Sequence, residues 1–331
     1  MNDTSGPASA EMARAALALY PLSPSSRVEL VRYGENTTYR ATDAGRSVAL
    51  RLARPGYQTR ASIESEITWM AALRTTGIDT PAAVPGRDGR IVQVLGAGDG
   101  GPRLVVAFEW VDGVPLPEVE DPQPWRRLGG VMAALHRHSR EWSPPPGFIR
   151  PAWDLDALVG DAPRWGTPVP GGVWQADQRR LILAARDAVR TRLQAFGSGP
   201  ARFGMIHSDL GFENVLVGPG GRTVLIDFDD SGNGWYMYDL ASVLYPLEGT
   251  GTLEARRDML VAGYREVWPL DDADVAELPT FLMARRLTTL GWTFSRPDTA
   301  HAQRQRARRL ASTPAAAREF LAWHARRDQL T

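Results

Sequence analysis

Residues 205–230 read MIHSDLGFENVLVGPGGRTVLIDFDD, and the parsing of this stretch decides the fold. Two apolar runs, Asn214-Val215-Leu216-Val217 and Thr223-Val224-Leu225-Ile226, flank Gly218-Pro219-Gly220-Gly221. Apolar runs of that length want a sheet and the Gly/Pro cluster supplies a reversal, so the sequence predicts a β-hairpin. Its ends are polar: His207, Asp209 and Asn214 before it, Asp227, Asp229 and Asp230 after it. A hairpin brings its ends together, so Asp209, Asn214 and Asp227 are expected to converge. Two carboxylates and an amide oxygen suit Mg²⁺, a hard cation that takes oxygen ligands and shares them with phosphates.

Working outward, the whole chain has 331 residues, 43% of them hydrophobic, which is enough for one large domain or two lobes with real cores. The formal net charge is +0, whereas a generic nucleic-acid footprint would be basic. There is no cysteine, which excludes disulfides, thiolate catalysis and cysteine zinc sites. There is also no lysine: all 38 basic residues are arginine, as coding bias in a GC-rich genome would produce. Any site that ordinarily uses lysine must use arginine here. Neither a signal peptide nor a run near the ~20 apolar residues of a membrane span is apparent, so a soluble cytoplasmic protein is expected.

Upstream, residues 1–7 read as a tail and Glu11–Tyr20 as a short helix. Strands are predicted over Val28–Tyr33, Thr38–Ala41 and Ser47–Leu52, with a turn at Gly34-Glu35-Asn36-Thr37. Ala61–Leu73 has helical spacing, with Ile63, Ile67, Met70 and Leu73 on one face. Ile91–Leu95 and Leu104–Trp110 are two further strands. Three strands, a helix and two strands make an α+β lobe of residues 1–108. Residues 109–115 form a linker, and residues 116–331 form a mainly helical lobe. Its expected helices are Trp125–His138, Gln175–Phe196, one opened by Asp239 as an acidic N-cap, Leu253–Trp268, Ala273–Phe294, Ala300–Ala311 and Pro314–Arg327. Residues 143–172, rich in Pro, Trp and Gly, read as irregular.

His207-x-Asp209, Asn214 five residues on, and Ile226-Asp227-Phe228-Asp229 together resemble the catalytic and metal loops of the protein-kinase-like fold. The match is to the aminoglycoside phosphotransferase and choline kinase branch, with its HGDxxxxN and IDxxD patterns. Upstream, ENTTYR, VALRL, a glutamate-bearing helix, FEWVDG and LHRHS agree with the family in order and spacing. The resemblance implies a bilobal kinase with ATP and Mg²⁺ as cofactors and a small-molecule hydroxyl as acceptor. On it, Asp209 is the catalytic carboxylate, Asn214 and Asp227 hold the metal, and His207 supports the loop. Arg51 stands where the family has a phosphate-binding lysine, with Glu66 as its partner. Arginine keeps the charge as a planar fork but is larger. Asn36, Thr37, Glu109 and Val111 complete the nucleotide site. Ser208 replaces the family's glycine. Asp239 matches a structural aspartate. Asp229, Asp230, Trp235, Arg286 and Trp292 are substrate-site candidates, with Arg285 beside them on the same helix.

Rival readings are weaker. Only eleven residues separate Asp227 from Asp239, which leaves no room for a long activation loop, so a protein kinase is disfavoured. A nucleotide-binding module without activity is conceivable from Arg51, but Asp209, Asn214 and Asp227 are all present. His207-Ser208-Asp209 is no hydrolase triad, because neighbouring side chains point apart. His136 and His138 read as a solvated helix end, since residues two apart on a helix do not face each other. Gly96-Ala97-Gly98-Asp99-Gly100-Gly101 lies between strands and reads as a turn rather than a dinucleotide loop. Trp235, Tyr236 and Tyr238 are read either as pocket lining or as core, with core favoured for at least two. Glu213, Asp229 and Asp230 favour an acceptor with amino groups by charge complementarity, such as an antibiotic or an amino alcohol. The sequence does not choose among the family's acceptors, and neither a nucleic-acid nor a membrane partner is expected.

Overall fold

The first strands follow the alternation in the sequence. β1 (Arg27–Tyr33), β2 (Thr37–Asp43) and β3 (Arg46–Leu52) form an antiparallel meander in which Thr38 pairs with Arg51 and Tyr39 with Leu50. Along β2, Thr37, Tyr39 and Ala41 point inward while their neighbours are part-exposed, the period-2 burial of a half-buried sheet. The computed structural model describes residues 6–34, 36–98, 101–116, 121–297 and 299–329. Residues 1–5 of the expected tail, Glu35 of the first turn, and Asp99 and Gly100 of the glycine-rich turn lie outside them.

The chain divides into two units. One comprises residues 1–114, 143–150 and 218–229, the other residues 115–142, 151–217 and 230–331. In the first, helix α1 (Gly6–Leu17) starts earlier than expected, and Tyr20, past its end, donates its hydroxyl to Val105 O at 2.9 Å. Helix α2 (Arg60–Thr75) is capped by Thr59, whose side chain accepts from Ser62 N. β4 (Ala83–Val84), β5 (Gln93–Gly98) and β6 (Gly101–Glu109) complete a sheet ordered β1-β2-β3-β6-β4, with β5 also on β6. β4 escapes sequence reading because two residues carry no periodicity. Ala13, Leu17, Tyr39, Leu50 and Val105 share the core of this unit.

The second unit is built on α3 (Gln123–Glu141), α4 (Leu155–Val159), α5 (Ala176–Phe196), α6 (Tyr236–Leu244), α7 (Leu253–Val267), α8 (Asp272–Val275), α9 (Leu278–Ser295) and α10 (Ala300–Asp328). A small sheet places Gly232–Trp235 between Ala152–Trp153 (parallel) and Phe203–Ile206 (antiparallel). Two helix expectations need correcting. Residues 273–294 are not one helix: α8 stops and α9 restarts with proline in its first turn, where a missing N–H costs nothing. Residues 300–328 are not two: α10 runs through Pro314. Thr313, Ala317 and Phe320 are buried along one face, so tertiary packing overrides the local penalty of proline. No helix among the described residues is long and apolar enough to cross a membrane.

Helices α3 and α7 approach closely at two glycines. A Cβ on Gly263 would stand 1.8 Å from Arg126 O, and one on Gly129 2.0 Å from Leu260 O. Both contacts are with backbone, so relief requires the helices to separate. Gly263→Ala is therefore expected to destabilise the protein by about 1–3 kcal/mol, seen as a lower urea midpoint with an unchanged slope.

Candidate active site

The loop 207–214 leaves the end of strand Phe203–Ile206. Its backbone is held from below by Asp239, whose carboxylate accepts from His207 N at 2.9 Å and Ser208 N at 2.7 Å. Asp239 is fully buried inside the first turn of α6 and does not cap its own helix, which corrects the N-cap expectation. Its remaining partner is His136, with Nε2 at 3.2 Å, and His136 Nδ1 in turn meets the Tyr264 hydroxyl at 2.9 Å. His136 stacks on Tyr236, and His138 is also buried, against Trp142. The two histidines are thus core residues, not a solvated helix end. A buried carboxylate accepting this many bonds is an essential brace. Asp239→Asn is expected to cost about 2–3 kcal/mol in urea unfolding, because charge-assisted bonds to the loop become neutral or are lost.

Ser208, in the place of the family's glycine, adopts φ +67°, the left-handed region that favours glycine. Its Oγ donates to Asp230 O at 2.6 Å, a bond glycine could not make. Asp209 follows, its side chain 26% exposed. Asn214 is buried and donates Nδ2 to Asp209 O at 2.8 Å, with Asp209 Oδ2 at 3.4 Å. Arg285 of α9 reaches the same aspartate, donating to Asp209 Oδ1, and also to Ser208 O at 3.2 Å. This ion pair was not read from the sequence, because its members lie 76 positions apart.

The first unit gathers the other candidates. Arg51 on β3 and Glu66 on α2 form a fork-to-fork pair, with both N–O distances 2.7 Å. Burial disfavours the Arg51 cation, but Glu66 outweighs this and keeps it protonated. The turn before strand Thr223–Leu225 is closed by Gly218 N donating to Arg222 O at 2.8 Å. After it, Asp227 takes φ +63° and lies 3.7 Å from Arg32. Phe228 packs edge-on against Trp69 of α2. Burial pushes the Asp229 carboxyl up to about 6, against the opposing pull of Arg51. Asp229 Oδ2 accepts from Asn36 Nδ2 at 3.0 Å, and its carbonyl accepts from Gln58 and Arg150. Arg150 also donates to Phe228 O and Ser62 O, tying the residues after Asp227 to α2.

Several candidates lie elsewhere than expected. Trp235 is core: its ring meets Phe203 and Phe281, and Nε1 donates to Gly197 O at 2.7 Å. Tyr236 and Tyr238 are buried as well. Arg286 is turned to Glu248 at 2.6 Å and Ser312 at 2.9 Å, so its charge is already matched inside the protein. Trp292 is half-buried and edge-on to His301. Asp230 is buried, its carbonyl accepting from Trp153 Nε1 and Ser208. Asn36 accepts from Arg54 N as well as holding Asp229, and Thr37 is buried in β2. Glu109 pairs with Arg46 at 2.7 Å and donates its N–H to Ala82 O. Val111 is part-exposed.

The fold recurs in known proteins. A solved microcompartment-associated aminopropanol kinase is 37% identical and superposes with a TM-score of 0.87, over 95% of this chain and 98% of that one. The amicoumacin kinase of Bacillus subtilis is 23% identical over 276 residues, 80% of this chain and 79% of its own. A homoserine kinase of Gluconacetobacter diazotrophicus is 29% identical over 279 residues, 80% of each. The likeness bears out the α+β, protein-kinase-like architecture. Residues 31–274, from the first strand to the helices beyond Asp239, match the phosphotransferase enzyme family, and the chain belongs to that family.

Proposed function

We propose that the protein transfers the γ-phosphate of ATP to the hydroxyl of a small amino alcohol. The loop His207–Asn214 carries this reading: it presents a part-exposed carboxylate at Asp209 on a backbone fixed by buried Asp239. Phosphoryl transfer needs positioning and charge neutralisation more than covalent chemistry from the protein. Asp209 accepts the hydroxyl proton as the acceptor oxygen bonds to the γ-phosphorus and the bond to the ADP oxygen breaks. Arg51, aligned by Glu66, binds phosphate oxygens, and the main chain around Glu109 and Val111 receives the base.

Asn214 and Asp227 would hold Mg²⁺. The donor set fits by chemistry: Asn214, whose amide nitrogen donates to Asp209 O, carries an amide oxygen, and Asp227 carries carboxylate oxygens. Both are the hard donors that such an ion takes. When bound, the ion neutralises charge on the phosphates. A second amicoumacin kinase, hAmiN, 24% identical with a TM-score of 0.73 over 94% of each chain, was solved with AMP-PNP and Ca²⁺, which supports nucleotide and divalent-metal use here. The likeness to an aminopropanol kinase supports the acceptor class, and the reading places the reaction in the cytoplasm with no membrane or nucleic-acid partner.

The test is ³¹P NMR of reactions containing ATP, Mg²⁺ and one of 1-amino-2-propanol, ethanolamine, choline or homoserine. A phosphomonoester with an amino alcohol is the expected product. Exclusive phosphorylation of homoserine would replace the acceptor class, and ADP release unchanged by every acceptor would overturn the reading.

A further inference from the structure

The second unit holds a cavity of about 420 Å³, lined by none of Asp209, Asn214 and Asp227. Small-molecule sites commonly span about 300–1,000 Å³, so it is large enough for a metabolite. Its walls come from the last turn of α3 (Arg140), the turn before strand Phe203–Ile206 (Arg202), the start of α6 (Tyr236), the last turn of α7 (Tyr264) and the connection from α7 to α8 (Trp268, Asp271). The aromatic wall is continuous: Tyr236 stands edge-on to Trp268 at 5.5 Å, and Tyr264 is tilted against the same ring at 6.3 Å. Both tyrosines are buried, whereas Trp268 is part-exposed, so the indole is the ring left to receive an apolar group.

Four charged side chains line the cavity, and two of them answer each other. Arg202 donates to Asp274 Oδ1 at 2.6 Å and to Phe196 O at 2.7 Å, and Asp274 is buried. Arg140 and Asp271 are different. Both are exposed, and among the described residues neither side chain makes an ion pair or a hydrogen bond. Arg140 instead lies over the Trp268 ring, its Cζ 6.0 Å from the centroid. One unanswered cation and one unanswered carboxylate beside an open indole match a ligand that carries a carboxylate, an ammonium and a flat apolar group. An α-amino acid with an aromatic side chain has all three.

The floor of the cavity also leads to the loop 207–214. Tyr264 and Tyr236 are the residues that hold His136: the Tyr264 hydroxyl meets Nδ1 at 2.9 Å, and the Tyr236 ring stacks on the imidazole at 4.7 Å. His136 in turn meets Asp239, whose carboxylate fixes His207 N and Ser208 N. We propose that the cavity binds an aromatic α-amino acid, with its carboxylate on Arg140, its ammonium on Asp271 and its ring on Trp268, and that occupancy steadies the loop 207–214 through Tyr264 and His136. A ligand acts on a distant group only by preferring one of its arrangements. A ring pressed against Tyr236 and Tyr264 prefers the arrangement in which both hold His136, and with it the braced loop. Neither part depends on the identity of the acceptor or on the transfer reaction.

Two measurements on the full chain test this: calorimetric titration with L-phenylalanine, and hydrogen–deuterium exchange of residues 205–214 with and without it. Saturable one-to-one binding with Kd below about 1 mM is expected. 3-Phenylpropionate lacks the ammonium, phenethylamine the carboxylate and L-alanine the ring, and each should bind at least about tenfold more weakly. Arg140→Gln should weaken phenylalanine about tenfold and leave phenethylamine unchanged, while Asp271→Asn should weaken phenylalanine and leave 3-phenylpropionate unchanged. Both side chains are exposed, so both variants are expected to fold. Bound phenylalanine should slow exchange over residues 205–214 at least about threefold. Tyr264→Phe keeps the ring but loses the bond to His136, so it should bind phenylalanine within about threefold of wild type and lose the slowing. If that variant does not fold, exchange in the wild-type protein decides the coupling. No saturable binding of phenylalanine, equal binding of 3-phenylpropionate, or affinity unchanged in both Arg140→Gln and Asp271→Asn would overturn the site. Binding that leaves exchange over residues 205–214 unaltered, or slowing that persists in a folded Tyr264→Phe, would overturn the coupling.

Discussion

Asp209→Ala is expected to lower single-turnover phosphate transfer by about 10³-fold, within the range that a positioned acid or base contributes. The substitution removes the group proposed to take the hydroxyl proton and leaves Asn214 and Asp239 in place. It also has a second consequence, which must be separated from the first. Arg285 loses the carboxylate it faces, and a charge with 6% side-chain exposure is left without its counter-ion. Breaking a buried pair in this way costs about 3–5 kcal/mol, toward the lower end here because Asp209 is itself 26% exposed. Asp209→Asn is the cleaner variant, since its amide oxygen can still accept from Arg285. A rapid-quench measurement on Asp209→Asn, with melting near wild type and transfer down by a similar factor, would assign the loss to chemistry. Transfer within tenfold of wild type would show that another group receives the proton.

The other large effect concerns Arg51 and Glu66. Glu66 is fully buried and Arg51 5% exposed, and they meet through two 2.7 Å bonds. Glu66→Ala should destabilise the protein by about 3–5 kcal/mol in urea unfolding, because the guanidinium remains buried and always charged. Replacing both, as Arg51→Met with Glu66→Leu, should return most of that stability, since well-packed apolar residues commonly match or exceed a buried ion pair. If Arg51 binds phosphate as proposed, the double variant will be stable yet have a strongly raised KM for ATP. A double variant with unaltered KM would make the pair purely structural. Stability and nucleotide affinity are thus read from the same protein by separate measurements.

Much of this was legible before any coordinates. Strands β2 and β3 and helix α2 show their periodicity openly, and the fork between Arg51 and Glu66 follows once both elements are placed. The misread helices trace to proline. In residues 273–294 it starts a new helix rather than sitting inside one, and at Pro314 a buried face carries the helix through. Local signals of that kind are weak priors that packing overrides. The site divides in the same way. Asp209 and Asn214 are close in sequence and share a loop, so their pairing could be anticipated. Arg285 could be seen on a late helix but not aimed, and Arg286, one residue on, faces Glu248 instead. One step along a helix turns a side chain by about 100°, and nothing local says which of two adjacent arginines faces the loop. Trp235 was ambiguous for a related reason: an aromatic residue near a site has the same composition whether it lines a pocket or fills the core.

The fork at Arg51 also decides which reagents can report on this enzyme. Acyl-phosphate derivatives of nucleotides tag kinases by acylating an amine held beside the bound phosphates. If Arg51 stands beside the phosphates as proposed, that position carries a guanidinium, charged at any working pH and clasped by a buried carboxylate, and the chain has no lysine elsewhere to capture the acyl group. On that assignment, profiling by amine acylation will pass over this protein even when it is abundant and turning over.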